Sequence, residues 1–380
     1  MKKIIVILLI TVISFAAFNS CNDPTFYAVS RDVKIKPPFI TGSPSNFVVF
    51  NSAMYVASGK YLYSYQKPEN STAASWKRET KAPDGNISQL AVSSGYVYAV
   101  CQTGSSTGIL NRTTDPSGSS GWEPLLNLID YNIQSIYAVG ADLFFSTIDS
   151  TIDSVSKYKI FKSTDSDIAI NAPGDGSNTV GFLYGVAASG GDIFLCAGSI
   201  YKYSAGSLTS VSGSTNNFIS IIDIGSAADN ILAITRNGHL YNVTSSGITK
   251  LAPEITNKFV TTAITTWVDP TNTYKLLLVG VQDISYSTST GFSYGYYEIG
   301  YNNATGISGA FKEPGEVPSS STIKDNSTYN NTIGANPVNH IIQTPASVDS
   351  SERLFASTQA KGVWRLKNDQ WNTWNTQEQE

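Results

Sequence analysis

A short two-strand pattern returns along the whole chain, and it limits the possible folds more than any other feature. Residues 354–366 read Leu-Phe-Ala-Ser-Thr-Gln-Ala-Lys-Gly-Val-Trp-Arg-Leu, two short strands joined by a tight polar turn. Residues 54–65 repeat the pattern, as do 193–203 and 231–243. Weaker copies are Val97–Cys101 with Ile109-Leu110, Leu143–Thr147 with Ile160-Phe161, and Leu276–Gly280 with Tyr296-Tyr297. A unit that returns at roughly 40–50 residues marks a repeat architecture, in which each copy buries its apolar surface against its neighbours.

The composition says what each copy is made of. Tyr (21) and Phe (16) supply strand residues and Gly (30) supplies turns, while helical periodicity is missing outside the N-terminus. All-strand repeats of this length are blades of a β-propeller. The spacing gives about seven blades of up to four strands: 46–80, 87–127, 133–171, 181–212, 217–252, 260–313 and 337–375. Insertions in the third and sixth copies leave six or eight as alternatives. Each blade opens with an apolar inner strand: Phe47–Phe50, Ile87–Val92, Ile133–Val139, Phe182–Ala187, Phe218–Ile224, Val260–Val268 and Val338–Gln343. Asn237-Gly238 marks a tight hairpin turn in the fifth. The seventh copy holds four strands of its own, so no N-terminal strand is required to complete it; Phe26–Val29 is available as an extra edge strand.

The N-terminus reads differently. Met1-Lys2-Lys3 is basic and Ile4–Phe18 is apolar, the length of a signal peptide and short for a membrane span. Ser20-Cys21 follows. A small residue before a lone cysteine at this place resembles a bacterial lipoprotein lipobox. Phe18 stands where Leu is usual and Asn19 where a small residue is usual, and relaxed boxes of this kind resemble those of spirochaete lipoproteins. The resemblance implies cleavage after residue 20, lipidation of Cys21, and a home in the cell envelope, anchored to the outer membrane. An ordinary cleaved signal peptide with an incidental Cys21 is the alternative. The expected division is a leader over 1–20, a lipidated cysteine and extended tether over 21–45, and a propeller over 46–380. Through its recurring strand pairs the chain resembles bacterial lipoprotein propellers, especially those of spirochaetes. The Gly-His…Trp-Asp signature of WD40 propellers is missing.

Charge narrows the partner. Twenty-five basic residues against 29 acidic give a net charge of −4. Nucleic acid is therefore not an expected partner, since counterion release needs clustered Lys and Arg. Cys101 and Cys196 fall on the second strands of non-neighbouring copies, in adjacent columns, and so point to opposite sheet faces. A disulfide needs Cα atoms within about 7 Å, so two separate buried thiols are expected. Asp149, Asp153, Asp165, Asp167 and Asp175 could supply hard oxygen ligands, but match no calcium loop and suit turns equally. His239 and His340 share no metal-ligand or triad spacing; His340 on an inner strand is the one near the channel. No catalytic residue, cofactor or metal is expected.

Connections between second and third strands, and from blade to blade, share one face of a propeller. Four insertions are expected there: Ile148–Lys157, Asp283–Gly295, the link Ile168–Val180 and the link Pro314–Asn336. First-to-second strand turns are mostly short. Long loops on a rigid scaffold carry binding residues, and Tyr286, Phe292 and Tyr294 are the candidates, since aromatic rings bury area at low entropy cost. Tyr296 and Tyr297 read as the start of a strand packed in its blade. A non-catalytic monomer that binds a protein or glycan is the leading reading. A structural subunit of an outer-membrane complex and a polysaccharide-active enzyme are the alternatives. The Phe-Arg-Ile-Pro motif of sialidases, the Trp motifs of quinoproteins and the Gly-x-Ser-x-Gly elbow are all missing.

Overall fold

The middle strands of the repeats are apolar on both faces, and only a sheet stacked between two others can bury such a strand. The computed structural model shows that arrangement. It describes residues 40–69, 71, 73–104, 107–118, 120–128, 131–149, 157–165, 179–213, 217–225, 231–255, 259–268, 275–283, 295–302, 305–307, 309–311, 337–359, 361–366 and 374–376. Seven antiparallel four-stranded sheets follow one another, each a meander from inner to outer strand. Blade one is β1 (Val48–Phe50), β2 (Ala53–Ser58), β3 (Tyr61–Gln66) and β4 (Ser75–Arg78). Blade two is β5 (Asn86–Val92), β6 (Val97–Thr103), β7 (Thr107–Thr113) and β8 (Glu123–Pro124). Blade three is β9 (Ile133–Val139), β10 (Asp142–Asp149), β11 (Lys157–Thr164) and β12 (Thr179–Val180). Blade four is β13 (Gly185–Ser189), β14 (Asp192–Ala197), β15 (Ser199–Ser204) and β16 (Ser207–Ser210). Blade five is β17 (Phe218–Asp223), β18 (Ile231–Thr235), β19 (His239–Thr244) and β20 (Gly247–Glu254). Blade six is β21 (Phe259–Val268), β22 (Lys275–Asp283), β23 (Tyr296–Asn302) and β24 (Gly306–Ile307). Blade seven is β25 (Val338–Gln343), β26 (Leu354–Thr358), β27 (Val363–Leu366) and β28 (Trp374–Thr376).

Strand alternation distributes the core between blades. Phe144 and Phe145 are neighbours on β10 and point opposite ways: Phe145 packs with Tyr98 of blade two, Phe144 with Leu195 of blade four. The cysteines do the same. Cys101 joins Tyr55 and Ala57 of blade one, whereas Cys196 joins Phe218 and Ile221 of blade five. Both are free and buried. Burial pushes the Cys101 thiol up to about 12 and raises that of Cys196 as well, so neither is an activated nucleophile. Tyr296 and Tyr297 open β23 and are both buried, facing blades seven and five respectively.

Blades seven and one are the only neighbouring pair of the ring not consecutive in sequence, and a dense seam joins them. Phe355 of β26 meets Tyr65 and Trp76 edge-on, with ring centroids 4.8 and 5.5 Å apart. The Tyr65 hydroxyl donates to Asp349 at 2.7 Å, and the same carboxylate takes Arg353 at 2.9 Å. Residues 40–45, the end of the stretch read as a tether, pack into this seam. Ile40 is fully buried, and Gly362 N–H donates to the Gly42 carbonyl at 2.9 Å.

One assignment is corrected. Residues 168–180 are not a blade link, because Thr179–Val180 is the fourth strand of blade three and pairs with Tyr158 and Lys159. β11 ends and β12 begins on the opposite face, so the insertion falls between a third and a fourth strand. First-to-second strand connections are mostly short, as expected, with longer ones between β17 and β18, β21 and β22, and β25 and β26. β22 ends and β23 begins on the face where the inner strands begin, here called the leading face, and β24 ends there too.

Candidate functional site

Inner strands are sheet edges, so their outward N–H and C=O groups need partners. In three places a side-chain amide from the neighbouring blade provides both. Asn46 accepts from Leu90 N–H at 2.9 Å and donates to Leu90 C=O at 2.8 Å. Gln89 brackets Ile136 in the same way at 3.1 and 2.8 Å, and Gln343 brackets Val268 at 2.9 and 2.6 Å. Each bracket is a two-point bond between adjacent blades and fixes their relative height.

The inner strands enclose a channel of about 860 Å³. Its wall is aliphatic and aromatic, with amides and hydroxyls, and among the described residues no Asp, Glu, Lys or Arg lines it. Five inner strands carry a β-bulge near their first residues, with Ser88, Gln134, Ile219, Thr262 and Asn339 as the extra residues. All five line the channel. A bulge adds one residue and re-aims its side chain, and bulges gather at barrel rims and sites. Here they ring the leading-face mouth. All four polar ones already have a partner: Ser88 Oγ donates to the Val100 carbonyl at 3.2 Å, Gln134 Nε2 to Asn132 Oδ1 at 2.7 Å, Thr262 Oγ1 to the Val338 carbonyl, and Asn339 Nδ2 lies 3.5 Å from Ser43 Oγ.

His340 is the one histidine in the channel wall. Its Nδ1 accepts from Phe47 N–H at 3.3 Å, so the neutral ring carries its proton on Nε2, and burial pushes its pKa down to about 4. The unfolded chain therefore binds a proton between pH ~6.5 and ~4 that the folded chain does not. This contribution to stability is complete above pH ~6.5 and is lost as pH falls toward 4, to a limit of about 3 kcal/mol. His340→Gln retains an acceptor but does not titrate. Urea midpoints between pH 7 and 4.5 should fall less steeply in the variant, and parallel curves would refute this role. His239 sits on β19 with Nδ1 2.9 Å from Glu254, a surface contact shared with Lys250.

The candidates from sequence are placed only in part. Tyr286, Phe292 and Tyr294 lie outside the described residues, between β22 and β23 in sequence. Cys21 lies outside them too, as do Asp153, Asp167, Asp175 and Phe26–Val29. Asp165 accepts from the Tyr98 hydroxyl at 2.9 Å, a structural contact. No group of three or more His, Cys, Asp or Glu that could hold a metal occurs among the described residues. The bulge ring and the amide brackets were not foreseen. Polar Asn46, Gln89 and Gln343 amid apolar inner strands were the available signal.

Among solved structures, YCF48 from Cyanidioschyzon merolae superposes with a TM-score of 0.50 at 12% identity, covering 86% of this chain and 96% of that one. An ancestral GH74 enzyme superposes with a TM-score of 0.57 at 13% identity. That match covers 90% of this chain and 47% of the enzyme, so the chain spans about half its length. The chain is a seven-bladed β-propeller. At these identities the likeness shows the fold and leaves the chemistry open. No family model and no curated protein matches the sequence.

Proposed function

We propose that this propeller is an envelope lipoprotein, held by a lipid on Cys21, whose leading face binds a protein or a glycan without catalysis. The observation that supports the reading is the set of five bulged inner-strand residues that line the channel at its leading-face mouth. Tyr286, Phe292 and Tyr294 fall between β22 and β23 in sequence, and on this reading they supply the aromatic contacts. The anchor reading stands on Met1-Lys2-Lys3, the apolar Ile4–Phe18 and the box at Cys21; more than one acyl chain gives firm attachment.

The test is a pull-down from detergent-solubilised envelope with the full chain as bait. Tyr286→Ala, Phe292→Ala and Tyr294→Ala together should abolish capture while leaving the melting temperature unchanged. Capture undiminished by the triple variant would overturn the site. In a detergent phase separation, Cys21→Ala should move the chain to the aqueous phase, and an unchanged partition would overturn the anchor.

A further inference from the structure

A second feature of the leading face lies between blades four and five. There the turn at Gly198, the start of β17 at Asn217 and the β18–β19 turn at Arg236 border a cleft of about 440 Å³. Tyr184 and Tyr201 line it as well. Tyr184 and Ile219 also line the channel, so the cleft runs into the channel mouth.

Arg236 gives the cleft its chemistry. Arg112 is paired with Glu123, Arg353 with Asp349, and Arg78 lies over the Tyr61 ring. Arg236 is exposed, and its guanidinium has no ion pair, ring contact or hydrogen bond among the described residues. Among the described residues, no Asp or Glu lines the cleft. The backbone beneath the side chain is fixed at both ends: Arg236 N–H donates to Asn217 C=O at 2.8 Å, and Arg236 C=O accepts from Thr261 N–H at 3.0 Å. A guanidinium on a pinned turn is a planar fork of donors that matches a carboxylate. The tyrosines add ring surface and phenol groups, which suit the apolar faces and hydroxyls of a sugar. The volume is that of a small-ligand site.

We infer that this cleft binds a carboxylate-bearing saccharide, with the carboxylate on Arg236 and the sugar ring beside Tyr184 and Tyr201. The assignment rests on the proposed reading of the leading face as a binding surface, and names the ligand class. It fits a chain of net charge −4, in which an anion needs a local cation.

The test uses the full chain in detergent, titrated calorimetrically with trigalacturonate and with maltotriose. Trigalacturonate should bind, maltotriose at least about ten-fold more weakly, and Arg236→Gln should weaken trigalacturonate by about ten-fold or more. Arg236→Lys should recover part of that loss, and added salt should weaken the wild-type chain. The guanidinium makes no contact that folding needs, so both variants should melt like the wild type. Equal affinity for the two sugars, no binding of either, or an Arg236→Gln chain that binds like wild type would overturn the inference. The envelope pull-down reads the broader proposal separately. Capture that depends on Tyr286, Phe292 and Tyr294 without trigalacturonate binding would sink this inference alone. Trigalacturonate binding that depends on Arg236 without any captured partner would sink only the aromatic site.

Discussion

Phe355→Ala is expected to destabilise the fold by about 3–5 kcal/mol, the usual cost of emptying a large buried aromatic site. Phe355 is fully buried, and its ring meets Tyr65 and Trp76 across the seam between blades seven and one. Every other pair of neighbouring blades is also tied by the chain that runs from one to the next. At this seam, side-chain packing and a few hydrogen bonds keep the ring closed. Trp76 is in contact with the mutated site and is one of six tryptophans in the chain, whose combined fluorescence reports global unfolding. Urea unfolding read by that fluorescence should show the fall in midpoint, while Leu126→Ala, at a residue 65% exposed, should shift it little. A loss under about 1 kcal/mol for Phe355→Ala would mean that the seam does not limit stability.

Gly362→Ala should act on the same seam from the backbone, at roughly 2–4 kcal/mol. Gly362 has φ +75, where a Cβ is strained, and an added Cβ would lie 1.9 Å from the Ile40 carbonyl oxygen. That oxygen is backbone and cannot swing away, so residues 40–44 must leave blade seven. Gly140→Ala is the control: its φ is +60, yet nothing lies within 4 Å of the added carbon. It should cost only the local strain, about 1–2 kcal/mol. Brief proteolysis should nick the Gly362 variant near residues 40–44 and spare the Gly140 variant. Equal thermal shifts and equal cleavage would show that the docked segment contributes nothing.

Strand pairs were legible because each is local. The apolar run Leu354–Thr358, the turn and Val363–Leu366 lie within a few residues of one another, and the pattern repeats with little change. The seven inner strands begin within a few residues of their expected starts for the same reason. Blade three shows where this fails. Thr179–Val180 is a two-residue strand after a long insertion, too short to carry an alternation, so 168–180 read as a link. The error moved one of four insertions to the wrong face. The proposed aromatic site was legible only as composition, since ring-rich loops can be read without knowing what stands beside them.

By itself the sequence determined the repeat, the strand order within each blade and the opposite facing of Cys101 and Cys196. All three follow from a period of two along the chain, which sterics impose on every strand. Tertiary structure alone decided the bulges at Ser88, Gln134, Ile219, Thr262 and Asn339, the amide brackets, the seam on Phe355 and the cleft at Arg236. A bulge inserts one residue without altering composition, and the other three join residues far apart in the chain. Their positions are fixed only when seven sheets close on one another, because the partner of each group belongs to a different blade.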